Sequence, residues 1–207
     1  MNNLNITEME NQCKSIDEII KVYKDSGVNL LPKCECYHFE NARGKINYFF
    51  HRFLAEEHKV FQDHKEYDKV AEWLENTKGK GLFLYGKCGT GKTMLARRII
   101  PSIFKEKNKW FNIYDAYEMK DKFKEILALT CHNFVLDDIG FEGTLNDFNK
   151  EETFLPKIMD SVEKNGKLII ITTNLNEDEF INKYKERTWE RIKATTKPIL
   201  FNFESMR

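Results

Sequence analysis

Two rhythms divide the chain. In its first part apolar residues recur at helical spacing. Ile16, Ile19, Ile20 and Tyr23 mark an amphipathic helix that Gly27 ends. Ile46, Phe49, Phe50, Phe53 and Leu54 mark a second, over about Lys45 to Lys59, and Val70, Trp73 and Leu74 a third, over about Lys65 to Asn76. Residues 31–44, with Pro32, Cys34, Cys36 and Gly44, read as irregular or extended. After KGKG at 78–81 the pattern changes. Short β-rich runs now alternate with helical stretches: GLFLY (81–85), KWFNIY (109–114), NFVLD (133–137), KLIIIT (167–172) and PILFNF (198–203). Apolar strands joined by helical crossovers predict an α/β fold: a mostly parallel five-stranded sheet, covered on both faces and wound right-handed. Ligands then belong at the carboxyl ends of the strands. The domains expected are a mainly helical N-terminal extension, 1–64, and a nucleotide-binding domain, 65–207.

Composition narrows the class. Of 207 residues, 41% are hydrophobic and 32% charged, and 16 Phe, 8 Tyr and 3 Trp suffice for a core. Disordered, collagen-like and low-complexity chains are thereby excluded. No apolar run approaches the roughly 18 residues of a membrane span. The N-terminus lacks a basic start followed by an apolar stretch, so a cytoplasmic protein without membrane contact is expected. Five cysteines, Cys13, Cys34, Cys36, Cys88 and Cys131, are an odd number and suit a reducing compartment. Basic and acidic residues balance at 33 each, so net charge supplies no pull toward nucleic acid. Residues 183–197 are locally basic, with six Lys or Arg against Glu186 and Glu190, which a solvated helix face explains.

The chemistry lies at the strand ends. The first strand runs into GKCGTGKT, Gly86 to Thr93, a complete G-x-x-x-x-G-K-[ST] phosphate loop with a helical MLARRII after it. Gly86, Gly89 and Gly91 permit backbone angles that turn successive N–H groups inward around phosphate oxygens. With Lys87, Cys88, Thr90 and Met94 they form the expected nucleotide contact. Lys92 reaches the β- and γ-phosphates, and the Thr93 hydroxyl ligates Mg²⁺. Cys88 fills space in the loop. The strand NFVLDD places Asp137 and Asp138 at its end; Asp137 is expected to hold Mg²⁺ through water, and Asp138 to orient or deprotonate the attacking water. Asp is a methylene shorter than the Glu common at the second position. The strand KLIIITTN ends at Asn174, which can hydrogen-bond the lytic water or the γ-phosphate; Thr172, Thr173 and Asn174 equally suit a polar turn. Cys34, Cys36 and His38 alternate and share one face of an extended strand. Zinc sites use wider spacing and a fourth ligand, so the metal-free reading is preferred.

GLFLYGKCGTGKT, FVLDDIG, IIITTNL and ERTWERIKATTKPILFNFESMR together resemble the AAA+ ATPases of the DnaC/IstB group, the replicative helicase loaders and transposition helper ATPases, over roughly residues 65–207. The resemblance implies ATP and Mg²⁺ as ligands, Asn174 as sensor 1, and Arg191 as an arginine finger entering a neighbouring subunit, with Arg187 assisting. It implies Arg207 as the sensor-2 arginine. It implies that Tyr114–Thr130, with Lys120, Lys122 and Lys124, helps line a path for single-stranded DNA. In helicase loaders the N-terminal part meets the replicative helicase, which suits the aromatic-rich helix KINYFFHRFL within residues 1–64; packing of that helix on the ATPase domain is an equal alternative. Two departures stand out. The helix IMDSVEKNGK lacks the group's arginine, and the residues after the last strand are too few for a complete helical lid, so a truncated or absent lid is expected.

The resulting reading is an oligomerising, DNA-linked ATPase that loads a replicative helicase. The alternatives are a transposition or mobile-element helper with the same site, and a nucleotide-dependent binding module that hydrolyses little. A small P-loop kinase is disfavoured, because residues 140–166 contain no arginine for a mobile lid.

Overall fold

The computed structural model describes residues 34–128, 132–140, 145–147, 150–152 and 154–205. The expected helix around Ile16–Tyr23, Cys13, Cys131 and Arg207 lie outside them. Residues Lys33–Arg207 form one compact unit.

Helices α1 (Ala42–Glu56) and α2 (Glu66–Glu75) precede strand β1 (Gly81–Gly86). After the loop comes α3 (Lys92–Met94), which passes through a π-helical turn (Leu95–Ile99) into α4 (Ile100–Phe104). Strand β2 (Phe111–Asp115) leads to α5 (Met119–Ala128), then β3 (Asn133–Ile139). A small antiparallel pair, β4 (Leu145–Asp147) and β5 (Lys150–Glu152), precedes α6 (Phe154–Asn165). The chain closes with β6 (Ile169–Thr173), α7 (Glu177–Tyr184), α8 (Glu186–Thr195) and β7 (Thr196–Phe201). The main sheet has five strands in the order β2-β3-β6-β1-β7, every neighbouring pair parallel. The five apolar runs thus become the five strands of the main sheet. The β4–β5 pair was not anticipated, because LND and KEE carry no apolar alternation.

Side-chain alternation distributes the core over both faces. Leu82, Leu84, Val135, Ile170, Ile199 and Phe201 pack with α1, α2 and the helix after the phosphate loop. Phe83, Phe134, Leu136, Ile169 and Ile171 pack with α5, α6, α7 and α8 on the other face. Trp73 on α2 is buried and donates its Nε1–H to the Lys80 carbonyl at 2.8 Å, which satisfies the one polar atom of a large apolar side chain. Phe83, Phe180 and Trp189 meet edge-on or tilted, with ring centroids 5.3 to 5.7 Å apart. Helix α7 begins with a capping box, Asn176 accepting from the Glu179 N–H while Glu179 accepts from that of Asn176.

The boundary expected at residue 64 falls inside the compact unit. Ile46, Phe50 and Leu54 of α1 are buried in the same cluster as Leu82 and Phe201, so the apolar face of KINYFFHRFL packs on the sheet layer. Of the alternating Cys34–His38 segment, Tyr37 is buried with Phe39 beyond it, Cys36 and His38 are exposed, and His38 Nδ1 lies 3.0 Å from the Glu75 carbonyl oxygen.

Candidate nucleotide site

The phosphate loop joins the end of β1 to α3. Gly86 is the last β1 residue, with φ of 112°, and a side chain there would run into the Phe201 carbonyl of β7. Gly89 and Gly91, at φ of 77° and 80°, hold the left-handed bends that curl the loop. Thr90 is buried, its hydroxyl donating to the Lys87 carbonyl at 2.9 Å; Lys87, Cys88 and Thr93 are exposed.

Lys92 turns back over this loop. It is 5% exposed, and its ammonium donates to the carbonyls of Gly86 (2.9 Å) and Lys87 (2.6 Å) and to Oδ1 of Asn174 (3.0 Å). A buried ammonium needs such acceptors, since desolvation otherwise penalises its charge. These acceptors hold it at the centre of the loop, where phosphate oxygens are its natural replacement partners.

The second motif is shaped by a bulge. Leu136 pairs with Ile171, but Ile139 pairs with Thr173, so Asp137 and Asp138 together oppose Thr172. Asp138 takes the left-handed conformation, φ 59°. Its N–H donates to the Thr172 hydroxyl at 2.8 Å, which replaces the missing ladder partner. The Thr172 hydroxyl in turn donates to Oδ1 of Asp137 at 2.5 Å. The bulge turns the two acids apart: Asp138 lines a cavity, while the side chain of Asp137 is 4% exposed. Nδ2 of Asn174 donates to Oδ1 of Asp138 at 2.6 Å.

A cavity of about 500 Å³ opens over the loop. Cys88 to Met94, Asp138, Thr172 and Asn174 border it, with Phe50 and Leu54 of α1 as apolar wall. Its size and mixed lining suit a nucleotide. Thr93 borders this cavity and Asp137 does not, its Oδ1 accepting from Thr172; a hydroxyl and a carboxylate are the hard oxygen donors that Mg²⁺ takes alongside phosphate oxygens and waters, so the residue types fit that ion.

Arg97 was missed by sequence reasoning. It lies on the π-helical turn, borders the cavity, and pairs with Asp115 at the end of β2 and, at 3.4 Å, with Asp137. Burial works against its charge, but the two carboxylates outweigh that and hold its pKa above the ordinary value. The readable signal was a pair of acids ending two consecutive parallel strands, with a cation on the helix after the loop.

Other expected residues stand elsewhere. Arg191 on α8 borders none of this cavity; it pairs with Asp160 and, at 3.3 Å, with Glu163, both on α6. Its acid partners are thus on a neighbouring helix rather than on its own. Arg187 is exposed. On α5, Lys122 pairs with Glu118 at 2.9 Å and Lys124 is exposed; the side chain of Lys120 and all of Arg207 lie outside the described residues.

No curated protein matches the chain in sequence. Among solved structures, the DnaC helicase loader superposes with a TM-score of 0.55 at 21% identity, covering 69% of this chain and 94% of that one. DnaI superposes at 0.51 and 23% identity, covering 81% and 86%. AMPPCP-bound DnaA from Aquifex aeolicus superposes at 0.52 and 20% identity over 70% of this chain and 49% of that one. These likenesses establish the AAA+ P-loop fold. A family model described as Novel STAND NTPase 3 matches residues 61–200, well over half of the 207, and the chain belongs to that family.

Proposed function

We propose that this protein binds Mg-ATP at Gly86–Thr93 and hydrolyses it, and that it acts in DNA replication as a helicase loader on single-stranded DNA. One observation carries the nucleotide reading: Lys92, Asn174 and Asp138, from three separate segments of the chain, form a hydrogen-bonded chain at the cavity over the loop. In this reading Lys92 meets the β- and γ-phosphates. Asp138 accepts from Asn174 and is the group that orients a lytic water; the Asn174 amide fixes its rotamer. Mg²⁺, held by Thr93 and Asp137, would neutralise charge on the phosphate oxygens.

The replication role is supported by fold likeness to DnaC, DnaI and DnaA. Residues 1–64 are the proposed helicase contact. Within them the inward face of α1 is already buried, which leaves outward side chains of that helix such as Tyr48, 59% exposed. A homo-oligomer completed by Arg191 in trans, and DNA along α5, are parts of the same reading.

The ion pairs of Arg191 with Asp160 and Glu163 favour a second reading, a nucleotide-dependent binding module with slow turnover. Calorimetry with Mg-ATP and a phosphate-release assay, with and without single-stranded DNA, separate the two. Binding with DNA-stimulated release supports the ATPase; binding without release supports the module; no binding overturns both.

A further inference from the structure

Arg97 stands where a metal ion would be felt. Its Nη1 reaches two carboxylates that are register partners on neighbouring strands, Asp115 at the end of β2 and Asp137 of β3. Oδ1 of Asp137 already accepts from the Thr172 hydroxyl, and Oδ2 faces the guanidinium at 3.4 Å. Arg97 borders the cavity from which a metal-nucleotide complex arrives. A π-helical turn so placed is a common mark of a functional position.

We propose that Arg97 is a positioning residue that sets the Mg²⁺ dependence of nucleotide binding by sharing Asp137 with the metal. The guanidinium balances the buried Asp137 carboxylate while no metal is bound, and Asp115, its closer partner, retains it when Mg²⁺ engages the Asp137 side. This rests on the nucleotide reading given above. An arginine cannot shed its proton when a dication approaches, so the repulsion between the two persists. Metal affinity is therefore held down, while metal-free ATP gains a cation beside its phosphates. An ion pair that merely ties β2 to the loop helix would alter stability and leave metal dependence alone.

The test is ATP binding by calorimetry across a series of Mg²⁺ concentrations, with thermal melting of each variant. Arg97→Gln should lower the Mg²⁺ midpoint about tenfold, the scale of one unit charge near a partly buried metal. It should also weaken ATP binding in EDTA several-fold. Arg97→Lys, which keeps the charge, should stay within about twofold of wild type. Asp115→Asn, which leaves the guanidinium wholly to Asp137, should raise the midpoint; its opposite sign keeps the test decisive if Arg97→Gln does not fold. Normal binding with unshifted midpoints overturns this proposal alone. A wild-type protein that binds no ATP at any Mg²⁺ concentration overturns the nucleotide reading, and this proposal with it.

Discussion

Nζ of Lys92 donates to Oδ1 of Asn174 at 3.0 Å, across 82 positions of sequence. The other end of the same amide donates to Asp138. An ammonium can only donate and a carboxylate only accept, so the orientation of this amide is dictated from both sides. The phosphate loop, the end of β6 and the bulge of β3 are thereby coupled through one side chain. Asn174→Ala should leave Mg-ATP affinity within a few-fold of wild type and lower turnover about 10²-fold, as removal of a single oriented donor does elsewhere. Single-turnover phosphate release checks this. Wild-type turnover would reduce Asn174 to a turn residue.

Lys92→Ala should abolish tight Mg-ATP binding in calorimetry with the far-ultraviolet circular dichroism spectrum unchanged. The side chain touches loop carbonyls and Asn174 rather than the core, so its loss removes phosphate contacts more than packing. Unchanged affinity would mean that the loop does not hold phosphate.

Arg191 presents a competition. Its partners Asp160 and Glu163 are about half exposed, so these pairs contribute at most about 1 kcal/mol to stability. An arginine finger contributes about 10³–10⁵ in rate. Arg191→Ala should therefore melt near the wild-type temperature, bind ATP normally and lose turnover under conditions of assembly. Mixing it with Asp138→Asn should restore part of the activity, each supplying what the other lacks. Retained turnover in Arg191→Ala alone would exclude the finger.

For DNA, the triple Lys→Ala variant at Lys120, Lys122 and Lys124 should reduce the log–log salt slope of single-strand binding by about 2, at about 0.7 per contact. Anisotropy titrations at several salt concentrations measure it. An unaltered slope makes these lysines a solvated face, as the Lys122–Glu118 pair already makes one of them in part.

The inclusion of α1 in the core is open to direct test. Phe50 is fully buried against Phe61 and Tyr67, with centroids 5.0 and 4.7 Å away. Phe50→Ala should cost about 3–5 kcal/mol in urea unfolding. Tyr48→Ala, on the exposed side, should stay within about 0.5 kcal/mol. Similar small costs for both would detach α1 from the nucleotide-binding unit.

What the sequence determined by itself is local. GKCGTGKT is readable because its glycines, lysine and threonine act within one turn of chain, each through its own backbone or short reach. The five strands are readable because burial on both faces demands short continuous apolar runs. Asp137, Asp138 and Asn174 follow from these, as strand ends in a parallel sheet share one edge.

Tertiary structure decided what depends on distant partners. The place of β6 between β3 and β1 is set by strand pairing, which no single run encodes. The bulge that turns Asp138 toward the cavity and Asp137 inward exists only because β3 is paired with β6. An amphipathic face does not name what it covers, so KINYFFHRFL suited a partner and the ATPase domain equally until the sheet layer accounted for Ile46, Phe50 and Leu54. Arg191 was singled out as a finger and Arg97 was not, though each is a cation on a helical segment. Arg97 met the paired acids Asp115 of β2 and Asp137 of β3, Arg191 the acids of α6, and the chain's path in space made that choice.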